Sequence, residues 1–245
     1  MPDMPLSSPK TRRRHSAVTH VGLARKINED AILCRPDLGL WVVSDGMGGH
    51  AGGDFASQTV VRALNSLPDP LAPEDIPRAT REALHGANRL ILEESDRRGV
   101  GVIGATVVLL VLSSAHFMCL WAGDSRLYRL RDGVLDMISV DHSVVGELVE
   151  QGYLTWDEVE NHPQNNQITR AVGVDEDLEL DKRRGDIRPG DRFLLCSDGL
   201  THYANTETLR AYLSSRPIET LADDLLAVAL DGGASDNVSV IAVEV

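Results

Sequence analysis

Aspartates recur at the borders of apolar segments, and this feature limits most strongly what the chain can fold into. They occur in VVSDGMGGHAGG (Asp45), WAGDSR (Asp124), LLCSDGL (Asp198) and ASDNVSV (Asp236). A carboxylate at the end of a buried strand is poorly solvated, and several that converge repel one another and resist ionising together. A divalent cation would supply the missing positive charge. The sequence therefore predicts a fold that gathers these strand ends around a carboxylate-lined metal centre.

The order of the predicted elements favours two stacked antiparallel sheets. Short apolar runs predict strands at residues 15–22, 30–35, 38–45, 105–113, 116–123, 125–133, 134–141, 178–187, 191–198 and 237–245. Helical spacing of apolar residues predicts helices at residues 54–67, from 73 or 75 to 97, at 206–214 and at 218–230. We expect the four strands between residues 105 and 141 to form one antiparallel meander. Because the helices occur in pairs while consecutive strands form hairpins, the predicted class is α+β, a four-layer αββα sandwich.

The chain contains no clear linker, so we expect one domain over residues 15–245. The Pro- and Ser-containing segment 1–14 is predicted to be a disordered tail. Segment 143–167 is polar, partly helical and offers little to a core. We therefore expect it to form an exposed flap.

Charge and cysteine content limit the partners and the compartment. The net charge of −13 argues against nucleic-acid binding, which requires a basic face. No apolar stretch approaches the length of a membrane span, and no apolar segment follows the arginines at 12–14 as in a secretion signal. Cys34, Cys119 and Cys196 are odd in number and lie in apolar surroundings, which favours buried free thiols in a reducing cytoplasm.

Each motif alone has an ordinary explanation. On its own, GLARKINEDA, which contains Arg25, Glu29 and Asp30, is typical of a solvated charged loop. GMGGHA fits a G-x-G-x-x-A dinucleotide fingerprint, although Asp45 would then face the pyrophosphate and no regular βαβ unit follows. If Asp45 instead binds a metal, the glycines let the backbone approach closely and the Gly46 carbonyl can be a further ligand. The joint occurrence of the acidic motifs favours the metal site.

The histidines and cysteines give little support to a catalytic site other than the metal centre. The sequence contains no Cys-x5-Arg, H-E-x-x-H or Gly-x-Ser-x-Gly motif. His50 and His142 lie near acidic turns, where they would act as proton shuttles or as local hydrogen-bonding groups. Both interpretations remain open at this point.

Together and in this order, the motifs resemble the type 2C family of metal-dependent serine/threonine protein phosphatases, particularly its compact bacterial members. The resemblance extends from about Val18 to Val245. The matching segments are RKINEDA, VVSDGMGGHAGG, GATVVLL, WAGDSRLYRL, DHS, ITRAVG, LLCSDGL and ASDNVSVI. The family fold is a central antiparallel β-sandwich with helices on both faces, which agrees with the predicted order of elements.

The resemblance implies a set of metal ligands. Asp45 would bridge two Mn²⁺ or Mg²⁺ ions, with the Gly46 carbonyl on one of them. Asp198 and Asp236 would complete the coordination of the other ion. Asp124 corresponds to the position that, together with Asp198, holds a third ion in bacterial members. These oxygen ligands suit Mg²⁺ and Mn²⁺ better than Zn²⁺.

The resemblance also implies catalytic roles. Glu29 and Asp30 would orient metal-bound water, and Arg25 would grip the phosphate of the substrate. Eukaryotic relatives have a proposed proton donor, His, where this chain has Met47. Because methionine cannot donate a proton, the leaving group would need another source, either a metal-bound water or His50.

The implied function is metal-dependent hydrolysis of phosphoserine and phosphothreonine on proteins by a metal-activated water. Such a monomeric cytoplasmic enzyme would oppose a serine/threonine kinase. Three alternatives remain open. They are an inactive phosphoprotein-binding scaffold, a phosphoesterase for small molecules or phosphohistidine, and a nucleotide-binding enzyme. A scaffold would be expected to lack a metal aspartate, and none is missing here.

Overall fold

The computed structural model describes residues 13–48, 52–99, 101–154 and 167–245, and in this part the chain forms eleven strands and six helices. The strands are β1 (Arg14–His20), β2 (Asp30–Arg35), β3 (Leu40–Met47), β4 (Gly104–Ala105), β5 (Val107–Leu112), β6 (His116–Ala122), β7 (Arg126–Arg131), β8 (Val134–Met137), β9 (Asp181–Asp186), β10 (Arg192–Cys196) and β11 (Val238–Glu244). The helices are α1 (Gly52–Asn65), α2 (Ile76–Arg98), α3 (Val144–Glu150), α4 (Asp198–Thr201), α5 (Thr206–Ser215) and α6 (Leu221–Asp231). In the predicted tail, residues 1–12 lie outside this description, and Arg14 already belongs to β1.

The strands form two antiparallel sheets. One has the order β1-β11-β10-β7-β8, and the other has the order β2-β3-β5-β6-β9 with the short β4 paired to β3. Helices α1 and α2 pack on the second sheet, and α5 and α6 pack on the first. The predicted four-layer αββα sandwich of class α+β is therefore confirmed.

Alternation along the strands builds the central core. In β3, Trp41 and Val43 face the other sheet, whereas Leu40 and Val42 face the helices α1 and α2. All four side chains are fully buried. This pattern arises because successive side chains of a strand point to opposite faces, so a strand covered on both faces is apolar throughout.

Two helices begin or end at residues that commonly cap helices. Gly99 closes α2 in the left-handed conformation (φ 62°), which glycine adopts without steric penalty. Ser143 begins α3 inside the predicted flap by accepting a hydrogen bond from the Gly146 N–H at 3.1 Å. The second helical part predicted for the flap falls on residues 155–166, outside the described residues. In this described part, no helix has the length and apolarity that crossing a bilayer requires.

The predicted four-strand meander was wrong. β5 and β6 pair in one sheet, whereas β7 and β8 belong to the other. The chain changes sheet at Gly123, Asp124 and Ser125, between β6 and β7. Gly123 has φ 110° and lies so close to Thr106 that an added Cβ would be 2.6 Å from the Thr106 Cβ. A short turn between two strands looks the same in sequence whether it closes a hairpin or crosses between sheets.

Candidate metal centre

The acidic residues proposed as ligands all lie at one end of the sandwich. Asp45 is near the end of β3, and the antiparallel register places Asp30, the first residue of β2, opposite it. Asp124 follows β6, Asp198 follows β10 at the start of α4, and Asp236 precedes β11. Since neighbouring strands are antiparallel, these chain positions meet at the same edge of both sheets. The structure thus brings together strand ends that are far apart in the sequence.

Asp45 is the electrostatic centre of this group. Burial raises the pKa of Asp45 well above its usual range. The negative charges of Asp30, Asp198, Asp124 and Asp236 raise that pKa further, in this order. A carboxyl group whose pKa is raised by four neighbouring carboxylates is the arrangement expected of a ligand that cations share.

Asp124 and Asp198 form a second part of the cluster. Burial raises the pKa of both carboxyl groups, and the charge of Asp198 contributes to the rise at Asp124. The positive charge of Arg126 opposes the rise at both residues, and His202 opposes it at Asp198. The two residues lie at the junction between the sheets, because one follows a strand of each sheet.

Asp30 is buried and only half satisfied. Its Oδ2 atom accepts a hydrogen bond from the Ser197 hydroxyl at 2.8 Å. Its Oδ1 atom is buried and has no hydrogen-bond partner among the described residues. Burial raises the pKa of Asp30 to about 7, although the nearby hydroxyl groups of Ser239 and Ser197 act in the opposite direction. A buried carboxylate oxygen without a donor is a suitable acceptor for a water molecule held by a cation.

Arg25 and Glu29 complete the edge from the loop between β1 and β2. The Arg25 Nη2 atom donates to the Asp236 Oδ2 atom at 2.8 Å, and this ion pair is the main reason that the pKa of Arg25 is raised. The charges of Glu29 and Asp45 also contribute to the rise. About half of the Arg25 side chain remains exposed. Arg25 is therefore a cation at the rim of an acidic cluster, in reach of solvent.

The donor set fits Mg²⁺ or Mn²⁺. It consists of carboxylates, with the backbone of Gly46 close by, and such oxygen donors suit hard cations. Gly46 lies so close to Gly53 that an added Cβ would be 2.1 Å from the Gly53 carbonyl oxygen, so only glycine fits there. In the described ranges, no three His, Cys, Asp or Glu side chains already stand in a metal-binding arrangement. One of the carboxylates, that of Asp236, is engaged by Arg25.

Of the two histidines considered as proton shuttles, the structure describes His142 and not His50. The ring of His142 stacks on Trp121 with a centroid distance of 5.9 Å. Its Nδ1 atom accepts a hydrogen bond from the Gly123 N–H at 3.3 Å, and its Nε2 atom lies 3.3 Å from the Asp181 carboxylate. His142 is thus a local hydrogen-bonding group, and His50 lies outside the described residues. The side chain of Met47 packs at Gly104.

Sequence reasoning missed the pair formed by Arg126 and Asp141. Arg126 donates from Nε to Oδ1 of Asp141 at 2.9 Å and from Nη2 to Oδ2 at 2.6 Å. The positive charge of Arg126 in this bidentate pair opposes the rise in the pKa values of Asp124 and Asp198. Both residues stand in motifs that the sequence analysis had noted, GDSR and DHS. An arginine two residues after a candidate ligand was the available signal.

Comparison with known proteins shows which family the chain matches. A family model described as Protein phosphatase 2C matches residues 24–232. The chain is 36% identical over 236 residues to the serine/threonine protein phosphatase PstP of Mycobacterium tuberculosis, a match that covers 95% of this chain. It covers 45% of PstP, so the chain spans less than half the length of that relative.

Solved structures with the same fold extend the comparison. PppA, described as a key regulatory component of T6SS in Pseudomonas aeruginosa, aligns with a TM-score of 0.88 at 45% identity, over 96% of this chain and 98% of that one. The catalytic domain of PstP in complex with two manganese ions aligns with a TM-score of 0.86 at 33% identity, over 95% of this chain and 97% of that one. A structure that shares this fold therefore holds two divalent cations.

Proposed function

The chain belongs to the protein phosphatase 2C family, and from this premise we propose that it hydrolyses phosphoserine and phosphothreonine on proteins in a metal-dependent reaction. The convergence of aspartates from both sheets on Asp45, with Arg25 at the rim, is the observation that carries the proposal. The substrate would be anionic while the protein carries a net charge of −13, so the site needs a local excess of positive charge. Cations and Arg25 would supply it.

We propose that Asp45, Gly46, Asp198 and Asp236 hold two Mn²⁺ or Mg²⁺ ions, and that Asp124 joins Asp198 at a third. The carboxylate chemistry of the cluster and the two manganese ions of the PstP catalytic domain support this assignment. When bound, such ions lower the pKa of water to near neutrality and stabilise charge on phosphoryl oxygens.

Arg25 would bind and orient the phosphoryl group. Its guanidinium is permanently charged and planar, and it matches two phosphate oxygens better than a lysine would. About half of its side chain is exposed, so a ligand can reach it without prior opening of the loop. Before a phosphoryl group binds, the ion pair with Asp236 holds Arg25 beside the acidic cluster.

Glu29 and Asp30 would orient the attacking water. The Oδ1 atom of Asp30 is the acceptor that remains open, while Ser197 fixes the other oxygen. Oδ1 of Asp30 can thus accept a hydrogen bond from that water and help to orient it. Met47 has no proton to give, so the leaving group must receive one from elsewhere.

Partners and compartment follow from the same proposal. A serine/threonine kinase would produce the substrates, and one copy of the chain would suffice, because every proposed site residue belongs to it. Cys34, Cys119 and Cys196 are free thiols, which supports a reducing compartment such as the cytoplasm.

The test is hydrolysis of a phosphothreonine peptide with added Mn²⁺. We expect turnover that EDTA abolishes and that Asp198→Ala reduces at least about a hundredfold, since several kcal/mol of charge stabilisation would be lost. Asp223→Ala is the matched control, because Asp223 is an exposed aspartate on α6. Turnover that survives EDTA would refute the proposal.

The same assay distinguishes the alternatives. A scaffold would bind the phosphopeptide without turnover. A phosphoesterase for small molecules would prefer para-nitrophenyl phosphate to the peptide in kcat/KM.

A further inference from the structure

Asn237 is a buried amide that ties the loop 21–29 to the start of β11. Its Oδ1 atom accepts a hydrogen bond from the Glu29 N–H at 2.7 Å. Its Nδ2 atom donates to the Val21 carbonyl at 2.8 Å and to the Ile27 carbonyl at 3.0 Å. The side chain is 5% exposed. Because one acceptor and two donors have matching partners, the amide has a single satisfied orientation.

The loop held in this way carries Arg25 and Glu29. Asn237 contacts the loop on both sides of Arg25, at its first residue and near its end. Arg25 itself reaches back to Asp236, the residue before Asn237, at 2.8 Å. The Asn237 N–H in turn donates to the Asp236 Oδ1 atom at 2.8 Å. Two consecutive residues thus hold the arginine, the loop that carries it and one carboxylate of the cluster.

Other contacts also hold this loop: the Gly46 N–H donates to the Glu29 carbonyl at 3.1 Å, and the Asn28 Nδ2 atom donates to the Thr19 hydroxyl at 2.8 Å. Asn237 differs from them because it binds the loop both before and after Arg25. The Leu23 N–H donates to the Ala234 carbonyl at 2.8 Å, which anchors the early part of the loop. Gly22 lies against the backbone of Asp236, where an added Cβ would be 2.1 Å from the carbonyl oxygen. Asn237 reaches the later part, at Ile27 and Glu29, from the same side. Its removal would break the hydrogen bonds of three partly buried backbone groups of the loop.

We propose that Asn237 is a positioning residue that sets the affinity for the phosphoryl group by holding Arg25 in place. The inference rests on the proposed function of Arg25 as the phosphate ligand. A charge-assisted hydrogen bond is strong only at a donor–acceptor distance of about 2.7–2.9 Å, so an arginine on a loosened loop binds more weakly. Ordering that loop on binding adds an entropic penalty. The expected effect is therefore mainly on KM, with a smaller effect on kcat because the same loop carries Glu29.

Asn88 provides a matched control. It is a buried asparagine whose side chain also makes three hydrogen bonds to one loop. Its Nδ2 atom donates to the carbonyls of Asp175 and Glu176, and its Oδ1 atom accepts from the Gly173 N–H. Asn88→Ala removes the same chemical group and the same number of bonds, in a loop that carries no proposed site residue.

The experiment is a double-mutant cycle in steady-state kinetics with a phosphothreonine peptide and Mn²⁺. We expect Asn237→Ala to raise KM about tenfold, which is the effect of weakening one charge-assisted contact. We expect a smaller fall in kcat, because Asn237 also holds Glu29. In the Arg25→Ala background, Asn237→Ala should raise KM less than about twofold, because the residue through which it acts is gone. Asn88→Ala should lower the melting temperature and leave KM and kcat unchanged.

Hydrogen exchange of the metal-free protein gives a readout that does not depend on activity. We expect the amides of residues 21–29 to exchange faster in Asn237→Ala than in wild type, and to be unchanged in Asn88→Ala. If Asn237→Ala does not fold, Asn237→Ser, whose hydroxyl can keep one of the hydrogen bonds, replaces it in both experiments.

The outcomes separate the two proposals. A wild type without turnover refutes the proposed function, and this inference with it. If the wild type is active, two results would overturn the positioning role and leave the proposed function standing. In the first, Asn237→Ala raises KM by the same factor with and without Arg25. In the second, it lowers kcat alone.

Discussion

Burial acts differently on the individual aspartates of the site. Asp45 and Asp124 have raised pKa values because burial and neighbouring carboxylates disfavour their charged forms. Asp30 experiences the same forces, yet its hydrogen bonds limit the rise in its pKa to about 7. Asp236 is paired with a guanidinium instead. A cation would therefore stabilise Asp45 most, because four neighbouring carboxylates raise its pKa, whereas the positive charge of Arg126 partly offsets the rise at Asp124.

Arg25 gives the first prediction at this scale. Arg25→Ala should raise KM for a phosphopeptide roughly tenfold to a hundredfold, the range expected for a charged hydrogen bond, while kcat changes little. Initial-rate kinetics with saturating Mn²⁺ measure this. Arg78→Ala on α2 is the control, because Arg78 is an exposed arginine that pairs with Asp75 and Glu82 of its own helix region. An unchanged KM in Arg25→Ala would contradict the assigned role.

The sequence predicted the candidate ligands because each one stands beside an apolar strand. Asp45 and Asp198 could be found in this way. The pair of Arg126 and Asp141 could not, because the residues are 15 positions apart and meet only when two segments fold together. Local patterns identify which residues end strands, whereas side-chain pairing depends on how the strands are assembled.

The same limit applies at the scale of elements. Strand positions and helix pairs followed from periodicity, and the assignment of strands to sheets did not. The turn at Gly123 sends the chain into the other sheet, and this crossing puts Asp124 between the sheets. The crossing is supported by Thr106, whose hydroxyl accepts a hydrogen bond from the Asp45 N–H at 2.9 Å and pairs with Ser125 at 2.8 Å. The shape of the turn and the position of Asp45 are thereby linked.

Gly123→Ala tests this link. An alanine at φ 110° is strained, and its Cβ would come 2.6 Å from the Cβ and Cγ2 atoms of Thr106. We expect the free energy of unfolding to fall by about 2–5 kcal/mol, as a sum of backbone strain and overpacking. Because Thr106 must shift and carries Asp45 with it, kcat should fall as well. Urea denaturation and initial-rate kinetics measure the two effects.

Gly133 is the control for backbone strain alone. It has φ 78°, and an added Cβ would meet nothing within 4 Å. Gly133→Ala should lower the free energy of unfolding by about 1–2 kcal/mol and leave kcat unchanged. Equal losses of stability and of kcat in the two variants would show that the contact between Gly123 and Thr106 does not connect the turn to the site.

At the scale of the whole molecule, the site joins two sheets that each have their own helix-covered core. The central core between the sheets contains apolar side chains from both. At one edge this apolar contact gives way to carboxylates, and their repulsion opposes the packing that brings them together. Stability of the metal-free protein should therefore depend on pH through these groups.

The sign of this dependence follows from the raised pKa values. A carboxyl group whose pKa is higher in the folded protein binds more protons when folded, so stability falls as pH rises between the two values. For Asp30 this interval runs from the ordinary 3.8 to about 7, and the pKa values of Asp45 and Asp124 move in the same direction. These carboxyl groups should therefore make the metal-free protein less stable at pH 8 than at pH 5. Mn²⁺ should raise Tm more at pH 8 than at pH 5, because fewer protons compete with it for these carboxylates.

Asp45→Asn separates this electrostatic effect from packing. The amide has nearly the same shape as the carboxyl group and cannot ionise, so it removes the charge that four neighbouring carboxylates oppose. In EDTA at pH 8 we expect the variant to have a Tm at least about 3 °C above that of wild type, which corresponds to roughly 1 kcal/mol in a chain of this size. The increase in Tm on adding Mn²⁺ should be much smaller than in wild type, and turnover should be lost. Asp223→Asn, an exposed control on α6, should leave the response to Mn²⁺ unchanged and lower Tm only slightly, because Asp223 stands in the first turn of the helix, where a negative charge favours the helix dipole. A metal-free Asp45→Asn variant that melts below wild type at pH 8 would mean that the ionised carboxylate stabilises the fold, and that the strand ends meet for a reason other than a cation.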